Sequence, residues 1–255
     1  MYFDTHAHYD SDAFEHDRDT VLAGLPGQGV TLALCPGCDL DSSRACIALA
    51  DQYPYLYAAA GIHPHDAQNV PPGYLAALNA LSYHPKVMAI GEIGLDYYYE
   101  RSPRQIQQDV FRSQLALARS RNLPVIVHDR EAHRDCLEIV RAYPGVSGVY
   151  HCYSGSLEDA KTLVSMGWML SFTGAITFKN ARRALEVIRW LPLEHIMLET
   201  DAPYLTPEPC RGRRNDSGYV YRVAEVIARE KGLSLEETAA VTMQNGKRFF
   251  GIGEA

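Results

Sequence analysis

Apolar residues in this chain gather into eight short, nearly continuous runs, and longer amphipathic stretches separate them. The runs are Tyr2–Thr5, Thr31–Cys35, Leu56–Gly61, Val87–Gly91, Pro124–His128, Gly148–His151, Met169–Phe172 and Ile196–Glu199. They are rich in Val, Ile, Leu and Ala and lack a polar alternation, so they read as strands buried on both faces of a parallel sheet. The stretches between them carry a helical period over Asp41–Gln52, Pro72–Ser82, Arg104–Arg121, Ala132–Tyr143, Ser156–Met166, Asn180–Trp190, Tyr219–Lys231 and Leu235–Phe250. Ser102-Pro103 reads as a cap and first helical position, and Ser234 with Glu237 has capping-box spacing. Strand and helix alternating eight times in 255 residues predicts an α/β fold, a (β/α)8 TIM barrel, as a single domain over 1–255. An open doubly wound sheet is the runner-up. It would gather polar residues at one switch point, whereas here they follow nearly every strand.

Composition narrows the class. A hydrophobic share of 47% and a charged share of 22% are those of a globular chain. No apolar run approaches the ~20 residues that span a bilayer. The start of the chain lacks a basic segment leading into an apolar stretch, so a cytoplasmic location is expected, with no membrane association. Nothing points to an obligate protein partner. Six cysteines in a chain with an ample core read as reduced thiols; Cys35 and Cys38 have CxxC spacing, but no second pair completes a tetrahedral site. The net charge of −7 disfavours a long duplex footprint, so any nucleic-acid contact should be local. The dense basic cluster is Arg211-Gly212-Arg213-Arg214.

The ends of the strands carry the chemistry. In order they give His6 and His8, then His63 and His65, Glu92, His128, His151, and Glu199 with Asp201. His6 and His8 are two apart, so both imidazoles face one side of an extended chain and can chelate a divalent ion. Residues that follow barrel strands sit at the C-terminal mouth, where barrel active sites are built. His6, His8, His128 and His151 with Glu92 and Asp201 suit two cations ~3.5–4 Å apart, with Glu92 as the bridging carboxylate. Imidazoles favour zinc, manganese or a mixed pair over an all-oxygen magnesium cage. Asp4 precedes His6 by two and Glu199 precedes Asp201 by two; each is a candidate to orient a ligand from behind. His63 and His65 are candidates for substrate contact. Asp129 faces away from His128 and reads as structural.

These residues resemble the TatD family of metal-dependent deoxyribonucleases and related hydrolases, within the amidohydrolase-like barrels. The resemblance runs in order through Asp4-Thr5-His6-Ala7-His8, Gly61-Ile62-His63-Pro64-His65, Gly91-Glu92-Ile93-Gly94-Leu95-Asp96, Pro124–His128 and His151-Cys152-Tyr153-Ser154-Gly155. It ends at Leu198–Leu205 and Arg211-Gly212-Arg213-Arg214-Asn215, so it covers essentially the whole chain. It implies a two-metal site, with His6, His8, Glu92 and Asp201 on one ion and Glu92, His128 and His151 on the other. It also implies phosphodiester hydrolysis, with Asp201 as general base and Glu92 between the ions. Arg211, Arg213, Arg214 and Asn215 would serve the phosphate-bearing substrate, and Tyr153 or Tyr204 would stack on a terminal base. The expected activity is a 3′-5′ exonuclease on single-stranded DNA ends. The alternative is hydrolysis of a small phosphodiester, ester or amide on the same site. Related barrels of that second kind use a carboxylated Lys as bridge, and no Lys stands at a strand end here. A metal-storage protein is a further class, which a basic loop beside an open mouth disfavours. One departure stands out. The family pattern Asn-Glu-Pro is replaced by Asn215-Asp216-Ser217, which shortens one acidic arm and frees the loop before the next helix.

Overall fold

A computed structural model describes residues 1–253, so the last two positions of the expected 1–255 domain lie outside the described residues. In chain order the elements are β1 (Tyr2–Asp4), α1 (Arg18–Gly24), β2 (Val30–Pro36), α2 (Leu40–Gln52), β3 (Leu56–Ala60), α3 (Tyr74–Leu81) and β4 (Val87–Asp96). There follow α4 (Arg104–Arg121), β5 (Val125–Arg130), α5 (His133–Arg141), β6 (Gly148–Tyr150), α6 (Leu157–Ser165), β7 (Met169–Phe172), α7 (Arg182–Trp190), β8 (Ile196–Leu198), α8 (Val220–Lys231) and α9 (Leu235–Phe250). The strands keep sequence order in the sheet, β1 through β8, which is the order of a (β/α)8 barrel.

By internal contacts the chain divides into two compact units, one of residues 1–35 with 152 onward, the other of residues 36–151. In the first, β1 lies parallel to β2 with Phe3 opposite Leu32, and β7 lies parallel to β8 with Phe172 opposite Leu198. The Thr5 N–H donates to Leu198 O at 3.0 Å and carries the pairing past the end of β1. Helices α8 and α9 cover this group. The Phe250 ring packs 5.9 Å from that of Phe3. At Gly246 of α9 a Cβ would come within 2.6 Å of the Phe3 ring, so only glycine lets the helix approach this closely.

In the second unit β3, β4, β5 and β6 pair in turn, all parallel, and α4 packs on β4. Phe111 and Leu115 of α4 are fully buried, as are Ile90, Ile93 and Val127 of the strands. Each such side chain contributes on the order of 1.5–3 kcal/mol on leaving water. The expected strands are all present, and one runs longer than its pattern. β4 continues to Asp96, beyond the expected end at Gly91, with Ile93 and Leu95 buried along the extension. Gly94 allows it: φ is +142° there and a Cβ would fall 2.0 Å from His128 O.

The helix starts follow local chemistry. Asp39 with Ser42, Ser156 with Asp159 and Ser234 with Glu237 close capping boxes at α2, α6 and α9. Ser102 does not cap α4. Its buried hydroxyl instead accepts from the Gln68 N–H at 3.0 Å and donates to His65 O at 2.9 Å, holding the loop after β3. α1 has no counterpart in the sequence pattern, because Leu22 alone of its residues is buried. Among the described residues, no helix is long and apolar enough to cross a membrane, and no disulfide joins any of the six cysteines.

Candidate metal centre

The first unit brings together His6, His8 and Asp201. Past β1 the chain stays extended: Ala7 N–H donates to Leu34 O at 3.0 Å and His8 N–H to Ala202 O at 2.7 Å. The two imidazoles therefore share a face, with Nε2 atoms 3.1 Å apart. Asp201 Oδ1 lies 3.5 Å from His8 Nε2 and 3.8 Å from His6 Nε2. Asp201 has φ +56°, a left-handed conformation that costs a non-glycine residue about 1–3 kcal/mol. The surroundings hold it there. Its N–H donates to His6 O at 2.9 Å and its carbonyl accepts from Tyr204 N–H at 2.8 Å. Asn215 braces the same turn, its Nδ2 donating to Thr200 O at 3.0 Å and Tyr204 O at 2.6 Å.

Asp4 and Glu199 lie next to this group, Glu199 with a carboxylate oxygen within 4.8 Å of a His6 ring nitrogen. Asp4 is fully buried and accepts from Thr200 N–H at 2.9 Å, Thr200 Oγ1 at 2.5 Å and His6 N–H at 3.3 Å. Burial pushes its carboxyl up to about 7, against the pull of those donors. It fixes the His6 backbone and the Thr200–Asp201 turn together. Glu199 accepts from Cys152 N–H at 2.5 Å and Ser171 Oγ at 2.6 Å, so its carboxylate is held rigidly.

The second unit brings together Glu92, His128 and His151. Glu92 Oε1 lies 2.8 Å from His128 Nδ1 and 2.9 Å from His151 Nε2, and the two imidazole nitrogens are 3.3 Å apart. The other nitrogen of His128, Nε2, lies 3.1 Å from Asp96 Oδ2. Two flanking carboxylates favour the charged form of this imidazole. Burial opposes that charge, but Asp96 and Glu92 outweigh it, and the His128 pKa stands above the ordinary imidazole value. A cation held by His128 and Glu92 would take the place of that proton, with Asp96 orienting the ring. Two imidazole nitrogens and a carboxylate oxygen converge in each unit, so the donors present fit a zinc- or manganese-like ion.

His63 joins the second group, its Nε2 3.7 Å from Glu92 Oε1 and the ring buried. His63, Glu92 and His128 together could hold a metal by distance. The His63 Nδ1 accepts from the His65 N–H at 3.1 Å, which leaves Nε2 protonated in a neutral ring. His63 is thus better suited to donate a hydrogen bond than to ligate. His65 Nε2 lies 2.9 Å from Asp96 Oδ2.

Asp96 is the residue that sequence reasoning passed over. It is fully buried, takes both His65 and His128, and accepts from Tyr98 N–H at 3.0 Å and Tyr99 N–H at 2.8 Å. Burial works against its charge, yet His128 and His65 overcome it and hold the carboxyl below its usual range. A signal was available, since Asp96 lies four residues after Glu92 on one strand, hence on the same face. Two glutamines of α4 were also missed. Gln107 accepts from Asp96 N–H at 2.8 Å and donates to Asp96 O at 3.1 Å. Gln114, seven residues on, accepts from Ile62 N–H at 2.7 Å and donates to Ile62 O at 3.0 Å.

The candidate substrate contacts divide. Tyr204 is 58% exposed, its ring edge-on to His8 at 6.3 Å. Arg211 lies over the Phe178 ring at 4.3 Å and Arg213 is exposed. The other three are occupied elsewhere. Tyr153 is buried and donates its hydroxyl to Ser156 O at 2.6 Å, so its ring face is not offered for stacking. Arg214 is held by Asp17 through two contacts of 2.7 Å, with its guanidinium over Phe14. Asn215 is fully buried, so its amide braces the Asp201 turn and does not reach for substrate. Asp129 is paired with His133 at 2.9 Å.

Imidazole and carboxylate donors following the strands of a (β/α)8 arrangement define a metal-dependent hydrolase. The chain belongs to the TatD-related DNases, whose family model matches residues 3–251. It is 42% identical to a Bacillus subtilis protein named an uncharacterized metal-dependent hydrolase, YabD, over 99% of this chain and all of that one. It is 34% identical to the Salmonella typhimurium 3′-5′ ssDNA/RNA exonuclease TatD, over 98% of this chain and 99% of that one. The crystal structure of YJJV, a TatD homologue from Escherichia coli K12, superposes with a TM-score of 0.92 at 31% identity, covering 98% of each chain. The chain is therefore an enzyme with the TIM-barrel fold of that family, and the barrel expectation holds over the open sheet.

Proposed function

We propose that this enzyme removes nucleotides from the 3′ end of single-stranded DNA by metal-dependent hydrolysis. The observation that carries the reading is the pair of convergent donor groups, each of two imidazoles and a carboxylate. The family membership and the name of the Salmonella relative support the substrate class. His6, His8 and Asp201 would hold one divalent ion, and Glu92, His128 and His151 would hold a second; zinc, manganese and magnesium are the candidates. When bound, these ions supply Lewis acidity at the phosphoryl oxygens and a water acidic enough to deprotonate near neutral pH.

The remaining steps belong to the chain. Asp201 accepts the proton of the attacking water, from a carboxylate fixed by its left-handed turn. His63 presents Nε2–H to a phosphoryl or leaving oxygen, since its Nδ1 is engaged by His65. Tyr204, exposed beside His8, and Arg211 contact the strand.

The test is cleavage of a 5′-labelled single strand by metal-loaded protein, wild type beside Asp201→Ala and Glu92→Ala. Stepwise shortening by the wild type, with a loss of at least a hundredfold in both variants, supports the reading. Absent cleavage with bound metal moves the substrate to a small phosphodiester, ester or amide. Equal cutting of closed circular duplex removes the preference for ends. Metal analysis of Glu92→Ala reports whether Glu92 serves one ion or both.

A further inference from the structure

We infer that Tyr98 and Tyr99, backed by Arg130 and Arg101, form a stacking platform for an unpaired nucleobase of the substrate strand. The inference rests on the reading above and adds a binding subsite that neither the motifs nor the metal ligands contain.

The platform is built by the residue that also orients His128. At the end of β4 the Asp96 carboxylate accepts the N–H groups of Tyr98 and Tyr99, which fixes an Asp-initiated turn. The turn throws two consecutive tyrosine rings outward. Tyr98 is 60% exposed and Tyr99 51% exposed. Their centroids lie 4.8 Å apart with an interplanar angle of 86°. Arg130, aligned with Asp96 in the β4–β5 register, sits 4.4 Å from the Tyr98 ring and 4.8 Å from the Tyr99 ring. Arg101 lies 5.7 Å from the Tyr99 ring. Among the described residues, neither guanidinium has a carboxylate within ion-pairing distance.

A single exposed ring with an arginine over it is ordinary on a protein surface, as at Tyr83 and Arg121. This group differs in having two consecutive exposed rings and two arginines together, beside the imidazoles of the second unit. Its partner must offer a flat face to a ring and an anion to an arginine, within one linked unit. A single-stranded polynucleotide does both at every residue. A duplex does not, because its base faces are already stacked. The location agrees: the Tyr99 ring lies 5.5 Å from that of His65, and His65 lies 6.2 Å from His128. One imidazole therefore separates the platform from a proposed metal ligand. Stacking reads no base edge, so the subsite holds any base.

The test uses manganese-loaded protein and a short phosphorothioate strand that resists cutting. It carries the fluorescent base 2-aminopurine near its 3′ end, and a matched strand carries an abasic residue there. The wild type should quench the fluorescence on binding and prefer the base-bearing strand by about tenfold or more. Tyr98→Leu and Tyr99→Leu should lose the quenching and most of that preference. Tyr99→Phe, which keeps the ring, should retain both. Equal binding of the two strands by the wild type, or leucine variants that keep the preference, overturns the platform. Cleavage of an ordinary strand by the same preparation separates the two ideas. Cutting without base preference leaves the hydrolase and removes the platform, while base-dependent binding without cutting keeps the platform and removes the nuclease.

Discussion

Asp96 shows how much one buried side chain can organise. It holds two imidazoles and two backbone N–H groups, and two of these contacts orient rings in the candidate centre. Replacing it with Asn keeps the shape and the acceptor for the turn, but puts an amide donor against His128. The ring then has no acceptor for Nε2–H, and the tautomer that leaves Nδ1 open to a cation is disfavoured. Asp96→Asn should therefore lower metal affinity about 10- to 100-fold with the helical circular dichroism unchanged. Titration with manganese or zinc decides it, and unchanged affinity would show that Asp96 serves only the turn. The residue scale is also where sequence reasoning was weakest. Tyr153, Arg214 and Asn215 were reasonable substrate contacts because a polar loop residue beside a motif looks the same whether buried or exposed. Their roles come from partners distant in sequence, such as Asp17 for Arg214, and no local pattern encodes that.

At the scale of elements, α4 acts as a clamp. Gln107 and Gln114 lie two turns apart on one stripe, among Val110, Phe111, Leu115 and Ala118, and each grips both polar groups of one site-loop residue. Leucine at either position fits the helix but strands a buried N–H and C=O, at a cost of about 1–3 kcal/mol. Gln114→Leu should lower the melting temperature and loosen the Ile62–His63 segment, seen as faster amide exchange there. Gln107→Leu should do the same at Asp96. A polar residue inside an apolar helical stripe was the available signal, and it was not read. The elements themselves were legible, because strands buried on both faces leave unbroken apolar runs. The pattern failed at α1, where charged residues surround a single buried Leu, and at the end of β4, where Glu92 and Gly94 interrupt the run. The helix caps were legible too. The Ser234 backbone N–H and then its hydroxyl hold Glu237 below its ordinary carboxylate value. Its support of α9 is therefore complete above that ordinary value and is lost as pH falls through the lowered one. Thermal melts from neutral to acid pH should show this loss in the wild type and a shallower one in Glu237→Gln.

For the whole molecule, charge bears on how the proposed single-stranded substrate would be held. A net charge of −7 gives no general attraction for a polyanion, so the affinity of the proposed nuclease would come from a few placed groups and from stacking. Arg214 is committed to Asp17, which reduces the basic loop to Arg211 and Arg213. Arg101 and Arg130 stand beside the exposed tyrosines. Four neutralised phosphates on a single strand would give a slope of roughly −3 for log affinity against log salt, at about −0.7 per contact. Anisotropy titrations of a short single strand at rising salt measure this directly, with metal held constant. A slope of about −6 or steeper would mean a long electrostatic footprint, which this surface charge does not supply. A slope near zero with base-dependent binding would place nearly all the affinity in stacking and in the metal ions. Because stacking is weakened little by salt while phosphate contacts are weakened strongly, preference for base-bearing over abasic strands should persist as salt rises and total affinity falls. That persistence is what distinguishes an enzyme that grips a strand end by its bases from one that slides along a backbone.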